Sequence, residues 1–357
     1  MTRSAQIELR RRWLELRLLC RPNIGLAAIA PPVCRLAREI VGADAASLFW
    51  LDPQGMPLGF FHEDSPLEVR DLFVNEFERL FVGENEINVF SLANAAGAPC
   101  GTLIAPSPDY FRSNTHNLLV RPSGHHHSLD LRVDGEDGGR AVLLLFRDDR
   151  AAFTDSDAAT LTLFAPLLRR AGTSVADTKW TGADGASGHL IVDGASLRIV
   201  AMSDGVEALL RNSNLVGQGL SLTGPLQTPP RFIAELCRHA SRTGSGVAQA
   251  IVPAGRLAAE ASSMRAPGSD PALPPQILVT LRHEAPTGMA AIAPILERRL
   301  SPLRSEILLY AATGGGRDTL SQTFGISKEA AKKHLAAIYR TIGVGRWEDI
   351  PAGLLPN

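Results

Sequence analysis

Lysine is nearly missing from this chain: four lysines stand among 36 basic residues in a sequence of 357, and arginine supplies the rest. Long apolar runs are missing too. The longest, 24–30 and 289–296, fall far short of the roughly 18 residues that a membrane span needs, so no membrane partner is expected. Cysteine is sparse, and Cys20, Cys34, Cys100 and Cys237 form no CxxC pair, which speaks against a disulfide framework or a zinc module. The opening stretch MTRSAQIELRRRWLELRLLCRPN has no apolar signal core, and Glu8 and Glu15 interrupt its arginines, against a transit peptide. A reduced, cytoplasmic protein is expected. GxSxG, HExxH, a Walker loop and a strand-following GxGxxG are all lacking, so neither an enzyme nor a catalytic residue is expected.

The net charge of −1 hides a local surplus. Lys328, Lys332 and Lys333 fall in one short window, and Glu297–Arg346 carries nine basic residues against four acidic ones. Such a patch suits phosphate, although a charge run is also how a solvated helix face reads. With 45% hydrophobic residues and roughly 150 residues per domain, two to three folded units are expected.

The periodicity predicts an N-terminal helix over 3–20, with Leu9, Trp13, Leu16 and Leu19 as its apolar stripe. A helix over 24–41, strands at 46–51 and 56–62 around Asp52-Pro53-Gln54-Gly55, and a helix over 67–81 follow. Strands at 126–133 and 141–147 read as a hairpin across Asp137-Gly138-Gly139, and the uninterrupted AVLLLF run implies cover on both faces. Thr154, Asp155 and Asp157 open a helix running to Arg170. Residues 173–187 have linker composition. A second unit is expected over 188–295, with strands at 189–192, 197–202, 246–252, 276–282 and 288–295 and helices near 204–210 and 232–242. The Ala-, Ser- and Pro-rich stretch 255–275 reads as a mobile insertion at a hairpin tip.

Beyond Glu297 the chain is expected to be helical. Ser301-Pro302 opens one helix, with Leu303, Ile307, Tyr310 and Ala311 as its stripe, and Gly314-Gly315-Gly316 ends it. A short helix over 318–324, a turn at Gly325-Ile326, and a third helix capped by Ser327 follow. In that third helix Ala331, Leu335, Ile338 and Ile342 point inward, and Lys332, Lys333, Ala336 and Arg340 point outward. This is helix-turn-helix geometry, and the small Ala336 lets the helix approach base edges.

Residues 300–346 resemble the helix-turn-helix of the LuxR/FixJ family of bacterial transcription regulators. The likeness rests on Leu300-Ser301, Glu306-Ile307-Leu308, Gly314, Gly325-Ile326-Ser327, Lys332, His334-Leu335, Ile338-Tyr339 and Gly343-Val344. The resemblance implies double-stranded DNA as partner, with Ser327, Lys328, Lys332, Lys333, His334, Ala336 and Arg340 on it. It also implies a fourth helix, from about Arg346-Trp347-Glu348, that pairs two copies. Leu303-Arg304, Gly316–Thr319, Ala330-Ala331 and Thr341 depart from the family pattern. They keep open a second reading, an interaction protein deficient in DNA binding that sequesters a partner regulator.

No lysine precedes Lys179, which excludes an orthodox phosphorylated receiver, and the paired aromatic pattern of acyl-homoserine-lactone receptors is absent. Residues 24–171 instead resemble a GAF domain, through ASLFWLD and the strand-to-helix run AVLLLFRDDRAAFTDSDAATLTLFAPLLRRA. HLIVDGASLRIVAMSDGVEALL opens a unit that resembles a PAS domain. The expectation is an α+β protein: an N-terminal helix (1–22), a GAF-like sensor (23–172), a linker (173–187), a PAS-like unit (188–295) and an all-α DNA-binding head (296–357). It would act as a one-component, signal-responsive regulator reading a near-palindromic site as a homodimer. Pairing is expected through the sensor and the N-terminal helix, because Pro351 breaks the last helix.

No cofactor motif is visible. Trp50, Phe60 and His62, with Phe61, are the candidates to line a small-molecule pocket, sheet core being the plainer reading. His125 and His127 would share a strand face, but no acidic or cysteine partner lies at metal-ligand spacing, so no metal is expected. Cys100 and Cys237 read as core residues before redox sensors.

Overall fold

Thr2 caps the first helix, α1 (Arg3–Leu19), by accepting the Ala5 amide at 3.3 Å. The computed structural model describes residues 2–21, 24–135, 139–148, 151–172, 178–268, 270 and 273–354, with the backbone alone at 183–186. Helix α2 (Leu26–Val41) carries Pro31 and Pro32 in its interior. Pro31 has no N–H to offer the Ala27 carbonyl four residues back. That carbonyl accepts the Ala254 amide instead, at 3.2 Å, and so ties α2 to a distant turn of the second unit.

The first unit is built on a four-stranded antiparallel sheet of order β2-β1-β4-β3. Its strands are β1 (Ala45–Leu51), β2 (Pro57–His62), β3 (His127–Asp134) and β4 (Arg140–Arg147). Alternation splits the buried residues of β1 and β4 between two cores, as the AVLLLF run implied. Ala46, Leu48, Trp50, Leu143 and Leu145 face α1 and α2, with α5 (Asp155–Thr162) and α6 (Ala165–Ala171). Ala45, Phe49, Leu51, Val142, Leu144 and Phe146 face α3 (Leu67–Leu80) and α4 (Val89–Asn94). The single helix expected over 154–170 is two, because Pro166 opens a new one. Asp137 and Gly138 of the expected hairpin turn lie outside the described residues.

The second unit is a five-stranded antiparallel sheet of order β6-β5-β9-β8-β7, in which the unit's first and last strands lie side by side. Its strands are β5 (Trp180–Asp193), β6 (Ile199–Met202), β7 (Ser245–Val252), β8 (Gly255–Met264) and β9 (Gln276–Pro286), with α7 (Val206–Arg211) and α8 (Arg231–Thr243) as its helices. Three expectations fail here. Much of the expected linker is strand, since β5 begins at Trp180; 173–177 lie outside the described residues. The expected insertion 255–275 begins as β8, paired on both sides. Leu257, Ala259 and Ala261 alternate inward there, and small side chains hide such a strand from propensity. The strand expected at 288–295 is helical, α9 (Thr287–Ala290) and α10 (Ile292–Glu297), with Pro294 in the first turn of α10. The boundary expected at 295/296 therefore falls inside a helix.

The head consists of α11 (Pro302–Ala312), α12 (Leu320–Phe324), α13 (Lys328–Ile342) and α14 (Ile350–Leu354). Pro351 lies in the first turn of α14, where it starts the helix and does not break it. Ile350 and Leu354 are buried against the head itself. The N-terminal helix is also committed within the chain. Leu16, Leu18 and Leu19 are buried with residues of α2, α6, α10 and α11, and Trp13 meets the Phe164 ring at 5.0 Å. Its apolar stripe is therefore an internal seam, not the free pairing surface expected from the sequence.

Leu16 is fully enclosed at that seam. Leu16→Ala should cost about 2–5 kcal/mol, read from denaturant midpoints; a loss under about 1 kcal/mol would show that the seam is loose.

Candidate nucleic-acid interface and sensor cavity

The turn between α12 and α13 is set by Gly325, whose φ of 61° is the left-handed conformation that ends α12. Ile326 donates its amide to Ser321 at 3.0 Å, and Ser327 accepts the Ala330 amide at 3.2 Å to start α13. That leaves the Ser327 hydroxyl proton free to donate outward. In α13, Ala331, Leu335 and Ile338 are buried, while Lys332, Lys333, Ala336 and Arg340 are exposed together with Ser327 and Lys328 at the start. His334 differs from the other predicted residues. It is half-buried, and its Nδ1 is enclosed with no hydrogen-bond partner among the described residues. It sits on the flank of the basic face.

The remainder of the head holds that pair in place. A Cβ at Gly315 would lie 2.4 Å from the Tyr310 ring, so only glycine lets the chain pass under it. Tyr310 shares a 2.7 Å hydrogen bond with Thr319, and the Trp347 indole donates to the Gly315 carbonyl at 2.9 Å. Lys332 pairs with Glu329 at 3.3 Å, both being well exposed. Such a pair is worth about 0–1 kcal/mol and yields easily to a phosphate.

In the first unit, a cavity of about 80 Å³ lies between the sheet, α3, α4 and the turns of 110–123. Phe60 and His62, two of the candidate ligand residues, line it. Trp50 does not, because it points into the core on the opposite face, beside α2. The period of two gives that place to Phe49, which stacks on Phe60 at 5.5 Å, with Phe73 across both. Phe61 likewise faces away, packed against the other core. Sequence reasoning missed Phe49, Tyr110 and His125; pairing across the Asp52–Gly55 turn puts Ser47 opposite His62 and Phe49 opposite Phe60, and would have found the first.

The polar end of the cavity is ordered by its histidines. His62 donates through Nε2 to the Asp64 carbonyl at 2.6 Å, so its Nδ1 accepts the Ser47 hydroxyl. Burial, and then His125 nearby, push the His62 pKa down to about 4. His125 precedes β3 and faces His62, not His127. It donates through Nδ1 to Asp148 at 2.9 Å and stacks on Phe146 at 4.3 Å, which leaves Nε2 as an acceptor. Asn88 is fully used in capping α4 and in bonds to Phe81 and Thr115. Arg70 at the rim donates to the Arg211 carbonyl at 3.2 Å and to Asn214, while its Nε has no partner among the described residues. Among the described residues no group of three metal-ligating side chains occurs. Cys100 and Cys237 are both raised by burial to about 11, which keeps them thiols.

The His62 shift has a signed consequence. Between pH 6.5 and about 4 the unfolded chain binds a proton at this residue that the folded chain refuses. Its contribution to stability is complete above pH 6.5 and is lost as the pH falls towards about 4. Urea midpoints between about pH 4.5 and 7.5 should therefore fall more steeply for the native chain than for His62→Gln; equal slopes would contradict the assignment.

No protein-family model and no curated protein matches the chain. Solved structures do. A Vibrio cholerae VqmA–ligand–DNA complex is 12% identical over 48% of this chain and 82% of that one, with a TM-score of 0.28. VqmA bound to DPO is 14% identical over 48% of this chain and 87% of that one, with a TM-score of 0.19. A phage VqmA–DPO complex gives 13%, 48%, 81% and 0.24 for the same quantities. TM-scores of that size do not establish a common overall arrangement.

Proposed function

We propose that this chain is a DNA-binding transcription regulator whose activity is set by a small molecule. The observation that carries the proposal is the α12–Gly325–α13 pair. One face of α13 is buried in the head, and the other presents Lys332, Lys333, Ala336 and Arg340 with no cover. A lysine on such a face reaches guanine N7 and O6 or a phosphate, and Ala336 between them allows a close approach. No described helix is long and apolar enough to cross a membrane.

Residues 23–172 would act as the GAF-like sensor and 188–295 as the PAS-like unit, with 296–357 as the head. The cavity under α3 suits a compact, chiefly apolar molecule. The polar groups it offers are Arg70 Nε, His125 Nε2 and the Tyr110 and Ser128 hydroxyls, which bond to each other. Arg70 Nε donates and His125 Nε2 accepts, so they suit a ligand that carries both an acceptor and a donor group. One head offers few phosphate contacts, so two copies on half-sites about one helical turn apart would supply a specific complex. With the apolar faces of α1 and α14 buried within the chain, the sensor units are left as the pairing surface.

Selection of operator sequence by the full chain, followed by titration of variants, tests the proposal. Lys332→Ala and Lys333→Ala should each weaken operator binding by about 1–3 kcal/mol, and relax preference at one base position if the residue reads a base. Undiminished operator binding by the double variant would overturn the recognition-helix assignment.

A further inference from the structure

Helix α1 segregates its charge. Arg3, Arg10 and Arg17 recur every seven residues, which places them in one line along a helix about 25 Å long. Glu8 and Glu15 fall nearly opposite that line, and both are engaged, Glu8 with Arg12 at 3.7 Å and Glu15 with Arg35. Arg3 and Arg10, and Arg11 about 100° round the helix from that line, are exposed, and none of the three forms an ion pair among the described residues.

The line ends at the head. Arg17 reaches Glu306 of α11 at 2.6 Å, and Arg21 lies 3.7 Å from the same carboxylate and 4.8 Å from the centre of the Phe324 ring in α12. Burial first, and then Arg170 of α6, disfavour charge on Arg21, against the pull of Glu306. One carboxylate thus faces two guanidiniums, with Arg170 close to the second, and the local excess is positive. Stability does not explain an arginine line left without counter-charge over two turns; a polyanion alongside the head does.

We propose that α1 is a second DNA-contacting element, whose exposed arginines hold the phosphate backbone of the same duplex that α13 reads. The contacts made by Arg3, Arg10 and Arg11 carry no sequence information and add to affinity through released counterions. The inference rests on the proposed DNA-binding function, but concerns residues outside the helix-turn-helix.

The test compares full-length protein with the triple variant Arg3→Gln, Arg10→Gln, Arg11→Gln, and with a charge-matched control, Arg198→Gln, Arg242→Gln, Arg265→Gln, whose arginines are exposed elsewhere. Affinity for a duplex carrying the selected operator and for a random duplex is titrated against salt. Each phosphate deprived of its arginine should flatten the log–log slope by about 0.9, so the α1 variant should give up about two to three units of slope. It should weaken on both duplexes alike, by about tenfold or more, with its thermal midpoint unchanged. The control should match the native chain. An α1 variant with native slope and affinity overturns the inference and leaves the head's function intact. Equal losses in the control overturn it too, by showing a net-charge effect. A loss confined to binding anionic vesicles or an acidic protein, with DNA binding unchanged, assigns the line to another partner and overturns it. Native protein that binds no duplex at all defeats the proposed function itself.

Discussion

The seam made by α1 is the constraint on which the arrangement of this chain depends. Leu16, Leu18 and Leu19 are buried between the first unit's α2 and α6 on one side and the head's approach, α10 and α11, on the other. A contiguous apolar cluster therefore runs from Trp50 and Leu143 in the first sheet to Ile338 and Ile350 in the head. Glu306, bridged to Arg17 and Arg21, fixes the register of that contact at its rim. A head attached only through β9 and a short connection would swing; this one is packed.

The first sheet divides the interior, and its second face encloses the cavity. Phe49, Phe60 and Phe146 form the floor of a cavity roofed by α3, and α3 is stitched to the second unit along its outer side. Arg70 bonds to Arg211 and Asn214, Asp71 accepts the Leu222 amide, Asn75 donates to the Leu220 carbonyl at 3.0 Å, and the Val74 carbonyl accepts the Gly217 amide at 2.9 Å. These bonds tie the roof of the cavity to the segment 211–222. That segment joins the second sheet, whose last strand leads through α9 and α10 to the head.

What the sequence made legible was local. The turn glycine, cap serine and basic face of α13 lie within one helix and its approach, so spacing alone places them. The apolar stripe of α1 was legible as a helix, but not for what it covers, since that depends on α11 nearly 300 positions away in the chain. Trp50 was misplaced by parity: one residue along a strand reverses the face, and aromatic character does not reveal which face holds the cavity. Strand β8 was hidden by alanines that fit under α8 without an obvious hydrophobic signal, and 288–295 by an apolar run with no readable period. His125 was read with its sequence neighbour His127, when its physical partners, His62 and Asp148, come from other elements.

Calorimetric unfolding of the intact chain tests the shared core most directly. If α1 welds the head to the first unit, the two should unfold in a single cooperative transition, and the head should show no melting of its own at lower temperature. Two resolved transitions, with the helices of 302–354 melting apart from the first unit, would contradict the account.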